Sequence, residues 1–140
     1  LAVVACGLLL IVETASVHPH YLAFFNALAG GPSGGRECLV DSNLDWGQDV
    51  KNLKDYLDAH RIPEVCISYY GGADLDYYGI RHRDLPNVPN FMVADQLDCV
   101  AAISATHLAI YHNRFAGLDS LEPDARVGYS IYVYDLRKRP

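Results

Sequence analysis

The chain opens on Leu1–Val12, an apolar run interrupted only by Gly7 and ended by Glu13. No other feature constrains folding so strongly, because a helix with no polar face must be covered all the way round. A membrane-crossing helix needs about 20 apolar residues. No charged stretch precedes the run and no small-residue cleavage site follows it, so it does not read as a signal peptide. The expectation is the end of a transmembrane helix over residues 1–14, with a buried helix of a soluble domain as the competing reading. No Lys or Arg occurs before Arg36. The flank leaving the run thus lacks the basic excess of a cytoplasmic side, and an extracytoplasmic soluble part at a cell membrane is expected.

Residues 15–35 read as an interfacial segment and a Gly-rich linker. Tyr21, Phe24 and Phe25 suit a membrane–water boundary, where amphipathic rings settle. Pro19 suits the first turn of a short helix along that boundary. Gly30–Gly35, with Pro32 inside it, reads as a flexible breaker at a domain boundary.

Residues 36–140 read as an α/β domain. A short strand is expected over Glu37–Asp41. Trp46, Val50, Leu53 and Leu57 recur at helical spacing and place one apolar face on a helix running to about His60, where Pro63 stops it. Glu64–Tyr70 is the next strand. Gly71-Gly72 turns into a short helical segment, Ala73–Gly79, and Arg81–Asn90 is a Pro-punctuated loop. Phe91–Ala94 is a weaker strand, Cys99–Ala105 a firmer one, and Thr106 to about Phe115 a helix. Arg126–Leu136 alternates as one long closing strand, partly exposed on one side, with an antiparallel edge position open to it. Strands alternating with helices predict a small, mostly parallel sheet flanked by helices.

At 140 residues the chain supports one core of useful size. A net charge of -6, with no basic stripe to offset it, excludes a nucleic-acid binder, and Arg137–Arg139 reads as a solvated tail. The four cysteines include no C-x-x-C pair, which removes zinc knuckles and thioredoxin-type sites. They read as buried thiols acting as small hydrophobes, and a disulfide between two neighbouring strands stays open.

Asp41-Ser-Asn-Leu-Asp-Trp-Gly-Gln-Asp49 packs three carboxylates, two carboxamides and a Trp into nine residues. Asp41, Asn43, Asp45, Gln48 and Asp49 fall where an α/β unit places ligands, between a strand end and a helix start. Such oxygen donors can hold a divalent cation or hydrogen-bond sugar hydroxyls, with Trp46 offering a ring face. Helix capping alone accounts for one or two of them. His18 and His20 flank Pro19 at the exit from the apolar run. They fit no specific metal pattern, and either bond headgroups and backbone or meet the phosphate of a lipid carrier. Tyr69–Gly72 and Tyr77–Gly79 are aromatic-Gly pairs better read as packing. Ser104-Ala-Thr106-His107 lacks the nucleophile elbow of a hydrolase.

His18–Asn26, Asp41–Asp49, Tyr77–Ile80 and Arg126–Tyr134, in that order, resemble the C-terminal part of bacterial polytopic glycosyltransferases. These are the family 39-like membrane proteins of the dolichyl-phosphate-mannose–protein-mannosyltransferase type, and Ser42–Asp49 is the most specific block. The resemblance implies upstream spans of the same polypeptide and transfer of a sugar from a polyprenyl-phosphate donor on the extracytoplasmic face. It also implies a catalytic acid before Leu1, so that no catalytic residue is expected in this stretch. His18, His20 and Asn26 are then candidates near the carrier phosphate. Asp41, Asn43, Asp45, Trp46, Gln48 and Asp49 are candidates for the acceptor side or for pinning the domain to the membrane part. A membrane-anchored, non-catalytic α/β module binding carbohydrate or another membrane subunit is the alternative.

Overall fold

In the computed structural model, residues 1–85 and 97–138 are described. Four short stretches rich in Val, Ile or Ala and one polar stretch form the sheet: β1 (Val65–Ser68), the polar β2 (His82–Asp84), β3 (Val100–Ser104), β4 (Ala125–Val127) and β5 (Ile131–Asp135). Their spatial order is β2-β1-β3-β5-β4. β1 pairs in parallel with both β2 and β3, whereas β5 pairs antiparallel with β3 and β4. The sheet is therefore mixed rather than mostly parallel. The expected strand at Phe91–Ala94 lies outside the described residues.

Both faces are covered. On one, α3 (Val50–Ala59) lays Val50, Leu53 and Leu57 against Val65, Ile67, Val100, Ala102, Ile131 and Val133. On the other, α4 (Ala105–Ile110) and α5 (His112–Phe115) bring Leu108 and Phe115 onto Ala101, Ile103, Tyr132 and Tyr134. Burial on two sides explains why β1 and β3 carry near-continuous apolar runs. It also corrects the expected half-exposed closing strand, since Tyr132 and Tyr134 are each only 3% exposed.

Other expectations change for identifiable reasons. The closing strand is a hairpin, because Gly128 and Tyr129 both take positive φ and turn the chain between β4 and β5. β5 is antiparallel but internal, and β4 is the edge. The Gly-rich stretch lies in α2 (Gly31–Cys38), where Pro32 occupies the first turn without costing a hydrogen bond. That helix removes the strand expected at Glu37–Asp41, which ends instead in a 3-10 turn, Asp41–Asn43. The helix expected from Trp46 starts only at Val50, because Gly47 has φ 75° and the Asp45 side chain captures its N–H. Within Arg81–Asn90, His82–Asp84 is an edge strand; Arg83 and Asp84 are exposed, which is why its sequence reads as loop.

Ala73–Gly79 is a turn rather than a helix: Asp74 Oδ1 accepts the N–H groups of Asp76 and Tyr77, competing with helical bonding. Cys66 and Cys99 form a disulfide joining β1 to the residue before β3, while Cys6 and Cys38 are exposed thiols. Buried reduced thiols are thus not what the cysteines provide.

The apolar run forms α1 (Ala2–Ser16), 15 residues with none buried. Among the described residues, no helix is long and apolar enough to cross a membrane. The helix is followed by a turn containing a cis His18–Pro19 bond and a 3-10 turn at Tyr21–Ala23. Ala23 is fully buried in the core beside Leu44 and Ala101, so the segment after α1 packs on the domain.

Candidate functional site

Asp41–Asp49 has no strand of its own. It crosses the edge of the sheet at which β1 and β3 end, passing from one face to the other. Leu44 fills the core on the α4–α5 side, and Val50 begins the core on the α3 side. Polar contacts fasten the crossing to every strand end it passes. The Asp41 N–H donates to Thr106 Oγ1 at 3.1 Å, and Tyr70 donates its hydroxyl proton to Asp41 Oδ1. That bond to a carboxylate pushes the Tyr70 phenol above its ordinary value, with burial and the charges of Asp41 and Asp45 adding to the effect. Tyr69 donates to Gly47 O at 2.9 Å. A Cβ on Gly47 would collide with the Tyr69 hydroxyl, so glycine is required there by both conformation and space.

Asp45 is fully buried. Oδ1 accepts from Gly47 N at 3.0 Å, while Oδ2 has no partner with hydrogen-bond geometry. Burial pushes this carboxyl above its ordinary value, against the opposing pull of the Gly47 N–H and of the Ser104 and Thr106 donors. Its role is to shape the turn from beneath.

Asp49 is the hub. It is 1% exposed and collects donors from segments far apart in the chain. Ser130 Oγ donates to Oδ2 at 2.7 Å, Asn52 Nδ2 to Oδ1 at 2.6 Å, and Gln48 Nε2 to Oδ2 at 3.3 Å. His20 Nδ1 stands 3.5 Å from Oδ1, and the His20 ring meets Tyr129 edge-on. Gly128 leaves the room: a Cβ there would strike the Asp49 carboxylate. A cleft of about 380 Å³ opens over this pair, lined by Pro19, His20, Tyr21, Leu22, Gln48, Asp49 and Asn52. A buried carboxylate holding one edge of a partly exposed imidazole is an arrangement that fixes a ring so that it can meet a ligand.

Of the residues singled out from the sequence, the structure brings His20, Gln48 and Asp49 together. Asp41 and Asp45 serve the crossing below. Asn43 is exposed, and Trp46, 62% exposed, lies off the helix face expected of it. Gln48 also closes its own turn, accepting from Trp46 N and donating to Leu44 O. His18 bonds Tyr21 Oη through Nδ1 at 2.9 Å, and Asn26 caps the 3-10 turn at Ala27–Ala29. Neither faces Asp49 in this arrangement. Among the described residues no three His, Cys, Asp or Glu side chains converge as metal ligands.

Two contributors escaped sequence reasoning. Ser130 lies in what read as mid-strand, and only the Gly128 beside it hinted at a turn. Ser68 is the second: it pairs with His107, singled out from the sequence only beside Ser104 and Thr106, at the same sheet edge with Oγ to Nδ1 at 2.9 Å. Thirty-nine residues separate them, so no local motif marks the pair. Comparisons with protein-family models, with curated proteins and with solved structures found no match.

Proposed function

We propose that this chain forms the membrane-proximal, extracytoplasmic part of a glycosyltransferase that uses a polyprenyl-phosphate-linked sugar. The observation that carries the proposal is the position of the His20–Asp49 pair. Its His20 sits on the segment leaving α1, a helix of which the domain buries no residue, and Asp49 meets it from the start of α3. A lipid bilayer or neighbouring membrane helices would cover that helix, and a lipid-borne phosphate would then lie level with the cleft. With Nδ1 of His20 against Asp49, its other ring nitrogen is the one left to meet a phosphate oxygen. The exposed Tyr21 and Leu22 beside it suit acyl or headgroup contact. The Cys66–Cys99 disulfide supports an oxidising, extracytoplasmic setting.

In the reaction, an acceptor hydroxyl oxygen attacks the anomeric carbon of the donor sugar. The bond from that carbon to the phosphate oxygen breaks, and polyprenyl phosphate leaves. The acceptor proton passes to a carboxylate outside Leu1–Pro140, and His20 steadies the phosphate rather than taking part in the proton transfer. Transfer from a polyprenyl-phosphate sugar by the full-length protein in its native membrane tests this reading. His20→Ala is expected to slow transfer about a hundredfold, the scale of a misplaced reacting group, and Asp49→Asn to do so through the ring it orients. Unchanged transfer in His20→Ala, with normal protein levels, would leave the cleft without a part in the reaction.

A further inference from the structure

A separate crevice opens at the C-terminal ends of β1 and β2 beneath α4 and α5, with a volume of about 320 Å³. The parallel strands lie in the order β2-β1-β3, so the chain leaves β1 towards one neighbour and returns to the other. Open α/β sheets bind ligands at such reversals, beyond the carboxyl ends of the strands. Ser68, Tyr69, Asp84, His107, Tyr111 and Arg114 supply the polar and aromatic walls.

Their chemistry selects a ligand class. Asp84 brings one negative charge and Arg114 one positive. Burial holds the His107 imidazole below its ordinary value, a bond to the Ser68 backbone opposing and the Arg114 charge reinforcing, so it is neutral at pH 7. The crevice thus offers a matched pair of charges rather than a field for an anion or a cation. Ser68 Oγ engages His107 Nδ1 at 2.9 Å, which leaves the other ring nitrogen for a ligand. That nitrogen donates in one tautomer and accepts in the other, and a hydroxyl group satisfies either. Tyr111, 46% exposed, packs edge-on against His107 and presents an aromatic surface at the mouth. Aromatic surface for C–H faces, together with a carboxylate and an imidazole nitrogen for hydroxyls, matches a sugar ring, while Arg114 Nη2 is held by Leu85 O at 2.6 Å.

We infer that the crevice beyond the C-terminal ends of β1 and β2, around Ser68, His107, Tyr111 and Asp84, is a binding site for an uncharged carbohydrate. It is distinct from the His20–Asp49 cleft and does not depend on the glycosyl-transfer reading. Saturation-transfer NMR on the full chain in detergent micelles tests it, with the methyl glycosides of glucose, mannose and galactose as probes and inorganic phosphate as the anionic competitor. At least one glycoside is expected to receive saturation and to be unaffected by phosphate. Tyr111→Ala and Asp84→Ala, both at exposed positions, are each expected to weaken it about tenfold, whereas the surface control Lys51→Ala leaves it intact. A matching thermal midpoint for each variant shows that the fold is retained. Saturation of none of the three glycosides, a signal that survives both substitutions, or displacement by phosphate would overturn the assignment.

Discussion

The Asp49 carboxylate is the residue on which the candidate site turns, because burial makes its partners count. In water a lost donor is replaced at once; a carboxylate 1% exposed has no such recourse. Ser130→Ala removes the 2.7 Å donor without changing the hairpin backbone. The expected loss is about 1–3 kcal/mol of stability, read as a lower urea midpoint at unchanged slope. A midpoint equal to that of the wild type would show that solvent already reaches the carboxylate. Sequence alone showed Asp49 as one acid among three. Nothing local distinguishes it from Asp41, which is exposed, or from Asp45, which is buried under its own turn. The difference arises from Ser130, 81 residues further on.

At the scale of elements, legibility followed burial symmetry. β1 and β3 were readable because both of their faces are buried, and α3 because its apolar stripe has a single period. α2 was hidden by its glycines, since helix propensity gives them no credit and only packing rescues them: Gly35 lies against the Phe25 ring, where a Cβ would collide. The β4–β5 hairpin was hidden differently, its turn falling inside a pattern that keeps alternating on both sides. The disulfide acts at this scale as well. It ties β1 to β3 and closes a loop with a sequence separation of 33. Replacing Cys66 and Cys99 together by Ala is expected to cost about 3–4 kcal/mol, chiefly by releasing the unfolded chain. Equal urea midpoints for the oxidised and doubly substituted proteins would refute that.

For the molecule as a whole, the half-buried His107 and the buried Asp45 pull the pH profile of stability in opposite directions. His107 has its folded value below 6.5, so its contribution is complete above pH 6.5 and is lost as the pH falls through the folded value. Asp45 has its folded value above 3.8. Its contribution is complete below pH 3.8 and is lost as the pH rises through the folded value. On acidification from neutrality the first effect weakens the fold and the second restores part of it. Urea midpoints measured across this range are expected to fall less steeply below pH 6.5 in His107→Gln, and to lose the acid-side recovery in Asp45→Asn. Parallel profiles in all three proteins would assign the pH dependence elsewhere. The architecture class was visible from the alternation of periods, but the mixed sheet was not, because direction is set by a hairpin turn and by a strand of three polar residues.

The wiring of Asp49 has a consequence for how the chain comes together in time. Its donors are drawn from Gln48, Asn52 and Ser130, with the His20 ring 3.5 Å away, so the late β4–β5 hairpin must be present before the carboxylate can leave water. A chain emerging N-terminus first holds His20 and Asp49 in the open, hydrated, until the last hairpin is made. Full satisfaction of the Asp49 carboxylate therefore waits for the β4–β5 hairpin to form. A nascent or clipped chain lacking the hairpin would keep an imidazole and a carboxylate that have no fixed relation to one another.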